Sequence, residues 1–153
     1  MVGMTDDPLA KTELTFLLGM GFQLVLGEFV ARVSAAGYAD LRPVHGAVFQ
    51  MLRGPGATSS ELAARLGVTK QAAGQIVDEL ERKGYVARTE HPDGGRRKLV
   101  VLTAKALQHL QVAGRVLHGL EGELGDVADL RAQLVRLIRT FSGPDLPPLR
   151  PVW

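Results

Sequence analysis

The segment from Thr58 to Val86 constrains the fold more than any other part of the chain. Two short amphipathic stretches flank Gly67, and each follows a threonine suited to cap a helix, Thr58 and Thr69. Glu61 completes a capping box with Thr58. Small and apolar residues recur where two steeply crossing helices touch: Leu62, Ala63, Leu66, Val68, Ala73 and Ile76. The pattern predicts a helix-turn-helix, and a plain helical hairpin is the alternative.

The second of these helices is predicted to run from Lys70 to Lys83, with Ala73, Ile76, Val77 and Leu80 facing inward. Its opposite face then presents five residues: Lys70, Gln71, Gly74, Gln75 and Asp78. The first residues of a recognition helix enter the DNA major groove, where glutamine can pair with adenine and lysine can reach guanine or phosphate.

Thr69 is suited to hold a backbone phosphate together with the free amides at the helix start. Gly74 lowers helix stability by about 1 kcal/mol relative to alanine, a cost that close approach to the DNA backbone would explain. The alternatives are that Thr69 only caps, that the two glutamines are only solvated, and that Gly74 has no function.

A basic β-hairpin is predicted directly after this helix. The β-like stretches 85–88 and 98–103 flank a turn at 91–95, and Arg96, Arg97 and Lys98 lie at its tip. Six basic residues oppose two acidic ones between positions 82 and 98, a net charge of +4. Such a wing can lay positive side chains along a minor groove or phosphates, whereas a solvated turn is the alternative.

The first predicted helix, residues 8–36, is apolar nearly all round. A helix with so little polar surface must be covered on most sides, and a partner subunit is the economical cover. Glu28, Gln23 and three glycines interrupt the apolar run, which therefore falls short of the roughly 20 residues of a membrane span. The sequence Gly19-Met20-Gly21 is expected to allow close helix packing rather than to bind a dinucleotide.

Two apolar stripes follow the hairpin and predict a pair of packed helices. The first comprises Ala106, Leu110, Ala113, Leu117, Leu120 and Leu124, and the second Val127, Leu130, Leu134, Leu137 and Phe141. The predicted fold is mainly α with a small β-hairpin wing. Its parts are an N-terminal dimerisation helix (1–36), a winged helix-turn-helix (37–103), C-terminal dimerisation helices (104–142) and an extended tail (143–153).

The amino-acid composition excludes several kinds of site and makes others unexpected. The chain has no cysteine, which excludes disulfides, thiol catalysis and cysteine zinc sites. The four histidines lack a metal-ligand spacing, so neither a metal nor a cofactor is expected. No nucleophile–base pair or phosphate loop supports an enzyme. With no export signal at the start, a cytoplasmic protein is expected.

Taken together, these residues resemble the MarR family of bacterial regulators. The resemblance rests on the apolar first helix, the sequence Leu41-Arg42-Pro43-Val44-His45, the block from Glu61 to Val86 and the end of the wing, Lys98 to Thr103. It implies a homodimer that binds a pseudo-palindromic operator and is released by a small phenolic or otherwise anionic ligand.

Two departures from the family pattern bear on DNA recognition. Family members commonly carry Ser or Thr and then Arg at the positions of Gly74 and Gln75, which implies a different base readout here. The wing aspartate is shifted, with Gly94 in its place and Asp93 one residue earlier. The predicted function is a ligand-responsive, sequence-specific repressor that binds double-stranded DNA. A non-DNA-binding antirepressor or protein-interaction module of the same fold is the alternative.

Overall fold

The computed structural model describes residues 7–147. A short 3₁₀ turn precedes helix α1 and a π-helical segment follows it. The elements are α1 (Leu14–Val33), α2 (Pro43–Met51), α3 (Ser59–Leu66), α4 (Lys70–Arg82), β1 (Val86–Glu90), β2 (Lys98–Leu102), α5 (Ala104–Glu123) and α6 (Ala128–Ser142). This confirms the mainly α fold with a β-hairpin wing. The division into dimerisation helices, DNA-binding unit and tail stays a prediction.

Local hydrogen bonds define the helix-turn-helix as the sequence predicts. The Thr58 hydroxyl accepts from the Glu61 amide at 3.2 Å, while the Glu61 carboxylate accepts from the Thr58 amide at 2.8 Å. Gly67 ends α3 in the left-handed conformation, with φ of 70°. The Thr69 hydroxyl then accepts from the Ala72 amide at 3.1 Å and starts α4. Both caps and the glycine turn are thereby confirmed.

The helix-turn-helix core matches the predicted offsets except at one position. Buried residues from α3 and α4 form its centre: Leu62, Ala63, Leu66, Ala73, Val77 and Leu80. Val68 was expected among them, but it is 40% exposed. The physical reason is the left-handed turn at Gly67, after which the Val68 amide bonds back to the Ala63 carbonyl and its side chain leaves the core.

The wing is a two-stranded antiparallel hairpin, paired from Val86↔Leu102 to Glu90↔Lys98. Strand β1 reaches two residues further than expected, to Glu90. Ala57, before α3, pairs with Val100 of β2 through two backbone hydrogen bonds. The Ala57 amide donates to the Val100 carbonyl at 3.1 Å, and the Ala57 carbonyl accepts from the Val100 amide at 2.8 Å. The loop before α3 therefore anchors the base of the wing.

Gly56 is the tightest point of that anchor and supports a stability prediction. A Cβ at Gly56 would lie 2.3 Å from the Val100 carbonyl oxygen, whereas a Cβ at Gly54 meets nothing, although both glycines have φ of 88°. Alanine at either site incurs about 1–2 kcal/mol of backbone strain. Gly56→Ala is expected to lose about 1–3 kcal/mol more because of the clash. Urea unfolding of the two variants measures this difference, and equal losses would contradict it.

Helices α1 and α6 have little cover within the chain. Only Val33 of α1 is buried, and no described residue of α6 is buried. Large apolar side chains are exposed on both helices: Leu14, Phe16, Leu24, Leu130, Val135, Ile138 and Phe141. A Cβ at Gly19 or Gly21 would meet nothing within 4 Å. The close packing expected at these two glycines therefore does not occur within the described chain.

The sequence argument against a membrane-length helix was wrong. The π-helical segment extends the first helix to Leu14–Tyr38, a 25-residue helix that contains an 18-residue stretch with mean hydropathy of 1.7, and this alone among the described helices is long and apolar enough to span a membrane. A helix that is covered by other protein segments can have the same length and hydropathy as a membrane span. Part of its surface is polar, since Arg32 pairs with Glu28 and with Glu123 of α5.

The predicted tail begins with a turn. Arg139 Nη1 donates to the carbonyls of Pro144 and Asp145 at 2.8 and 2.9 Å, which folds residues 143–145 back on the end of α6. The extended conformation expected for 143–153 is therefore wrong for these first residues. Residues 148–153 lie outside the described part of the chain.

Candidate nucleic-acid interface

The exposed face of α4 carries the residues expected to read DNA. Lys70, Gln71 and Gln75 are exposed, and the half-buried Gly74 has no atom within 4 Å of an added Cβ. No packing within the described chain therefore requires glycine at position 74. The result is a polar, shallow surface over the first two turns of the helix.

The start of α4 is capped by Thr69 and carries Lys70 as its first residue. Thr69 caps the helix through its hydroxyl, which confirms the capping role. The first amides of any helix lack intrahelical partners and carry the positive end of the helix dipole. Lys70 adds a side-chain charge at the same place. A phosphate could be bound here by the amides and by Lys70.

Arg88 pairs with two of the three acidic residues of α4, an interaction that sequence reasoning missed. From strand β1 it donates to Asp78 at 2.7 Å and to Glu81 at 2.9 Å. Asp78 belongs to the exposed face of the helix, so this contact reduces repulsion of a phosphate backbone. It also fixes the wing to the recognition helix. The only sequence signal was an arginine on the strand that follows an acidic helix end.

The three basic residues of the wing tip differ in availability. Arg96 and Arg97 are exposed and have no ion-pair partner within residues 7–147. Lys98 is exposed but pairs with Glu90, directly across the hairpin. Asp93 lies in the turn, where its amide donates to His91 Nδ1 at 3.1 Å. Arg96 and Arg97 thus form the available positive charge of the wing.

A second polar cluster holds the C-terminal half of α4 against the start of α2. Glu79 accepts from Lys83 at 2.9 Å and from Arg42, and it lies 3.4 Å from His45 Nε2. The hydrogen bonds from Lys83 and Arg42 lower the pKa of Glu79 to about 2. The Arg42 amide donates to His45 Nδ1 at 2.9 Å, so His45 also caps α2.

Residue Asp40 extends this cluster to the first residue after α4. The Tyr85 hydroxyl donates to the Asp40 carboxylate at 3.0 Å, and Lys83 Nζ donates to the Asp40 carbonyl. Burial and the Asp40 contact raise the pKa of Tyr85 well above its usual value. These partners are about 40 residues apart in the sequence, so no local pattern could have predicted their contact.

An apolar cavity of about 330 Å³ lies among α1, α2 and α5. Its wall includes Phe22, Phe29, Leu110 and Leu117. The volume is at the lower end of the range typical of small-molecule sites. Sequence analysis named no residues for such a pocket, because its wall comes from three segments distant in the chain.

His109 joins the cavity wall to the aromatic core. It is 5% exposed, lines the cavity, and its Nδ1 has no hydrogen-bond partner within the described chain. Its ring lies edge-on to Tyr38 at 4.7 Å and to Phe49 at 5.3 Å. A buried polar atom without a partner is costly, and a bound ligand with a polar group could satisfy it.

Burial of His45 and His109 predicts a loss of stability in mild acid. Burial lowers the pKa of both imidazoles, although Glu79 partly opposes this at His45. In the unfolded chain, both histidines titrate near pH 6.5. Below that pH they bind more protons in the unfolded chain than in the folded chain. The free energy of unfolding should therefore be highest above pH 6.5 and fall towards the lowered pKa values, by up to about 1.4 kcal/mol per pH unit for each histidine.

Chemical denaturation at a series of pH values measures this effect. His109→Phe should make the dependence shallower, because the aromatic packing is kept and the titrating group is removed. His118→Gln is the matched control, since His118 is exposed on the same helix. A pH dependence that is identical in the His109 variant and the wild type would contradict the prediction.

Comparison with known proteins finds similarity to one family of regulators. Residues 41–97, from the turn before α2 into the wing, match the profile of the MarR family. The repressor CouR, solved on a 23-mer DNA duplex, is 25% identical with a TM-score of 0.68, over 85% of this chain and 92% of that one. Over residues 41–97, this chain is therefore similar to the MarR family.

A second CouR structure and a curated relative differ in how much of the chain they match. CouR from Rhodococcus jostii RHA1, solved with p-coumaroyl-CoA, is 24% identical with a TM-score of 0.67, over 88% of this chain and 94% of that one. YcgE of Bacillus subtilis, described as an uncharacterised HTH-type transcriptional regulator, is 29% identical over 86 residues. That match covers 56% of this chain and 54% of YcgE, about half of its length.

Proposed function

We propose that this chain is a member of the MarR family and a cytoplasmic, sequence-specific transcriptional repressor that acts as a homodimer. One observation carries the proposal: the polar exposed face of α4 lies beside a wing whose Arg96 and Arg97 have no ion-pair partner in residues 7–147. A reading helix with adjacent phosphate-binding charge is what a winged helix needs to bind duplex DNA. The complex of CouR with DNA supports this use of the fold.

The interface divides into phosphate contacts and base contacts. Thr69, Lys70, Arg96, Arg97 and Lys98 are assigned to the DNA backbone, with Lys98 the weakest of them because Glu90 competes for it. Gln71 and Gln75 are assigned to base edges in the major groove. Gly74 lies between them and lets the helix approach the DNA closely, since no side chain stands there.

Gln75→Ala is expected to relax base preference while largely keeping affinity for random DNA. A bidentate glutamine–adenine pair contributes about 1–3 kcal/mol of discrimination, and the phosphate contacts are untouched by its loss. Competition binding with point-mutated operators measures the change, which should appear at one symmetric pair of positions. Gln133→Ala on α6 is the control, since it should leave every position unchanged. Equal weakening on specific and random DNA would assign Gln75 to the backbone instead.

The dimer is proposed from the exposed apolar faces of α1 and α6. Monomeric proteins rarely expose contiguous apolar surface of this kind. A second copy that packs on both helices would cover it and place two recognition helices about one turn of DNA apart. This arrangement also favours protein rather than lipid as the cover of α1.

The cavity among α1, α2 and α5 is proposed as the effector site. Residues of α1, α2 and α5 form its wall, and Arg42 of that wall also pairs with Glu79 of α4. The complex of CouR with p-coumaroyl-CoA shows that the fold can hold a ligand with an aromatic group and negative charges. We expect a small aromatic or anionic effector that lowers affinity for DNA.

Selection of bound sequences from a random duplex library tests the proposal. The purified chain should enrich two inverted half-sites whose centres lie about 10 base pairs apart. Affinity for the selected site should fall steeply with salt, because phosphate contacts release counterions. No enrichment at low salt would reject the repressor function and favour the antirepressor or interaction module. The observation that favours this alternative is the small formal net charge of +2.

A further inference from the structure

The first nine residues of α4 offer few groups that can distinguish one base from another. Residues 70–78 contain no arginine, and four of them are exposed: Lys70, Gln71, Gln75 and Asp78. Ala73 and Val77 are buried on the opposite side of the helix, and Gly74 has no side chain to contribute. The exposed polar groups are therefore two amides, one ammonium and one carboxylate.

The carboxylate among these groups already has a partner. Asp78 Oδ1 accepts from Arg88 Nη2 at 2.7 Å, and Arg88 also holds Glu81 at 2.9 Å. A carboxylate that reads DNA accepts a hydrogen bond from the N4 amino group of cytosine. Cytosine would have to compete with a charged guanidinium for Asp78, and charge-assisted hydrogen bonds are the stronger kind. The contact with the wing thus disfavours a cytosine reader on this face.

The ammonium of Lys70 is better suited to a phosphate than to a base. Lys70 is the first residue of α4 and has no ion-pair partner within residues 7–147. A lysine can pair with guanine, but a phosphate carries a full negative charge and the edge of guanine carries none. With Lys70 on the backbone, no cation among residues 70–78 is left to select guanine.

The two amides are matched to adenine. The oxygen of a glutamine amide accepts from adenine N6 while its nitrogen donates to N7, whereas guanine presents two acceptors, O6 and N7. Neither Gln71 nor Gln75 has a side-chain hydrogen bond within residues 7–147. Residues four apart on a helix have Cβ atoms about 6 Å apart, and phosphates on one strand follow at about 3.4 Å along the duplex axis. The two glutamines therefore reach base pairs no more than about two steps apart.

We propose that α4 specifies two adenines within three consecutive base pairs of each operator half-site, and specifies neither guanine nor cytosine there. The inference rests on the proposed function, because it names the class of DNA sequence that the same helix face reads. Preference for A·T pairs arises from Gln71 and Gln75 alone. Arg88 contributes by holding Asp78 away from competing base contacts.

Selection from a random duplex library by the full chain and by alanine variants tests this assignment. The wild type should enrich two adenines per half-site within three consecutive base pairs. Gln71→Ala should lose the preference at one of these positions, and Gln75→Ala should lose it at the other. Gln108→Ala is the matched control, since Gln108 is an exposed glutamine of α5, and it should keep both preferences.

Duplexes that contain 7-deazaadenine separate a direct contact from an effect of DNA shape. This base lacks the N7 acceptor and keeps its pairing with thymine. At a selected adenine it should weaken wild-type binding by about fivefold or more. It should cause no further loss in the variant that lacks the glutamine assigned to that adenine. Equal weakening of wild type and variant would overturn the assignment, and an adenine between the half-sites provides the control position.

Gln75→Arg should change the selected sequence rather than merely weaken it. Arginine pairs bidentately with guanine O6 and N7, so one adenine of each half-site should become guanine while the adenine assigned to Gln71 stays. Gln108→Arg adds the same charge on α5 and should change neither position. Thermal melts establish that the variants are folded. If Gln75→Arg does not fold, Gln75→Lys provides the second test, because lysine also pairs with guanine.

The outcomes distinguish this inference from the proposed function. Guanine or cytosine at the positions that depend on Gln71 or Gln75 overturns the inference and leaves a sequence-specific DNA-binding protein. So does an unchanged preference in folded Gln75→Arg. A selected cytosine that disappears in Asp78→Asn would overturn the role given to Arg88. Absence of any enriched sequence with the wild type rejects the proposed function, and the inference falls with it.

Discussion

Replacement of Arg96 and Arg97 together by alanine is expected to lower affinity for every duplex, operator or random, by about tenfold or more per dimer at physiological salt. Both side chains are exposed and without an ion-pair partner in residues 7–147, so both are available to phosphates. Each lost phosphate contact should reduce the slope of log K against log salt by about 0.9. Base preference should stay unchanged, because these contacts carry no sequence information.

Fluorescence anisotropy at four or more salt concentrations measures both quantities. The control replaces two exposed arginines elsewhere, Arg115 of α5 and Arg136 of α6, which changes the net charge equally. This control should leave the salt slope near that of the wild type. If both double variants flatten the slope alike, general electrostatic attraction rather than a wing contact is responsible.

Leu130→Glu combined with Leu137→Glu on α6 should convert the protein to a monomer and abolish operator binding. Both leucines belong to the apolar stripe of a helix that has no buried residue within the described chain. Two carboxylates buried in an apolar interface would each cost several kcal/mol, more than an ordinary dimer interface can offset. A monomer presents only one recognition helix and loses the gain in affinity from two linked half-sites.

Light scattering after size exclusion measures the mass, which should fall from twice 16.4 kDa to 16.4 kDa. Ala132→Glu with Arg136→Glu is the matched control on the opposite face of α6. This control adds more negative charge than the test variant, so a pure charge effect would be larger in it. A dimeric test variant, or a wild type that is already monomeric, would contradict the proposed assembly.

Short-range patterns predicted much of the candidate interface. The caps at Thr58 and Thr69, the turn at Gly67 and the exposed glutamines of α4 follow from residues within about four positions of one another. Hydrogen bonds of this kind depend on local backbone geometry, which neighbouring residues largely determine. Val68 was mispredicted because the turn reverses the side-chain direction that helical spacing assumes.

Contacts between distant segments were beyond such patterns. Arg88 with Asp78 and Arg42 with Glu79 depend on how a strand and a turn pack against α4. Sequence analysis placed all the basic residues from 82 to 98 in one positive surface. The structure leaves Arg96 and Arg97 available and pairs Arg88 and Lys98 with carboxylates.

The sequence by itself determined the helix-turn-helix, the wing and the face of α4 that meets solvent, because periodicity and capping act over one or two turns. Only the tertiary structure decided which charges stay unpaired, where the cavity lies and how Arg42 joins it to the recognition helix. The contacts of Arg42 and Asp40 with the end of α4 join elements about 40 residues apart, while Arg88 and Lys98 are paired against α4 and across the hairpin. Side-chain identity sets which pairs are possible, and packing selects the ones that form.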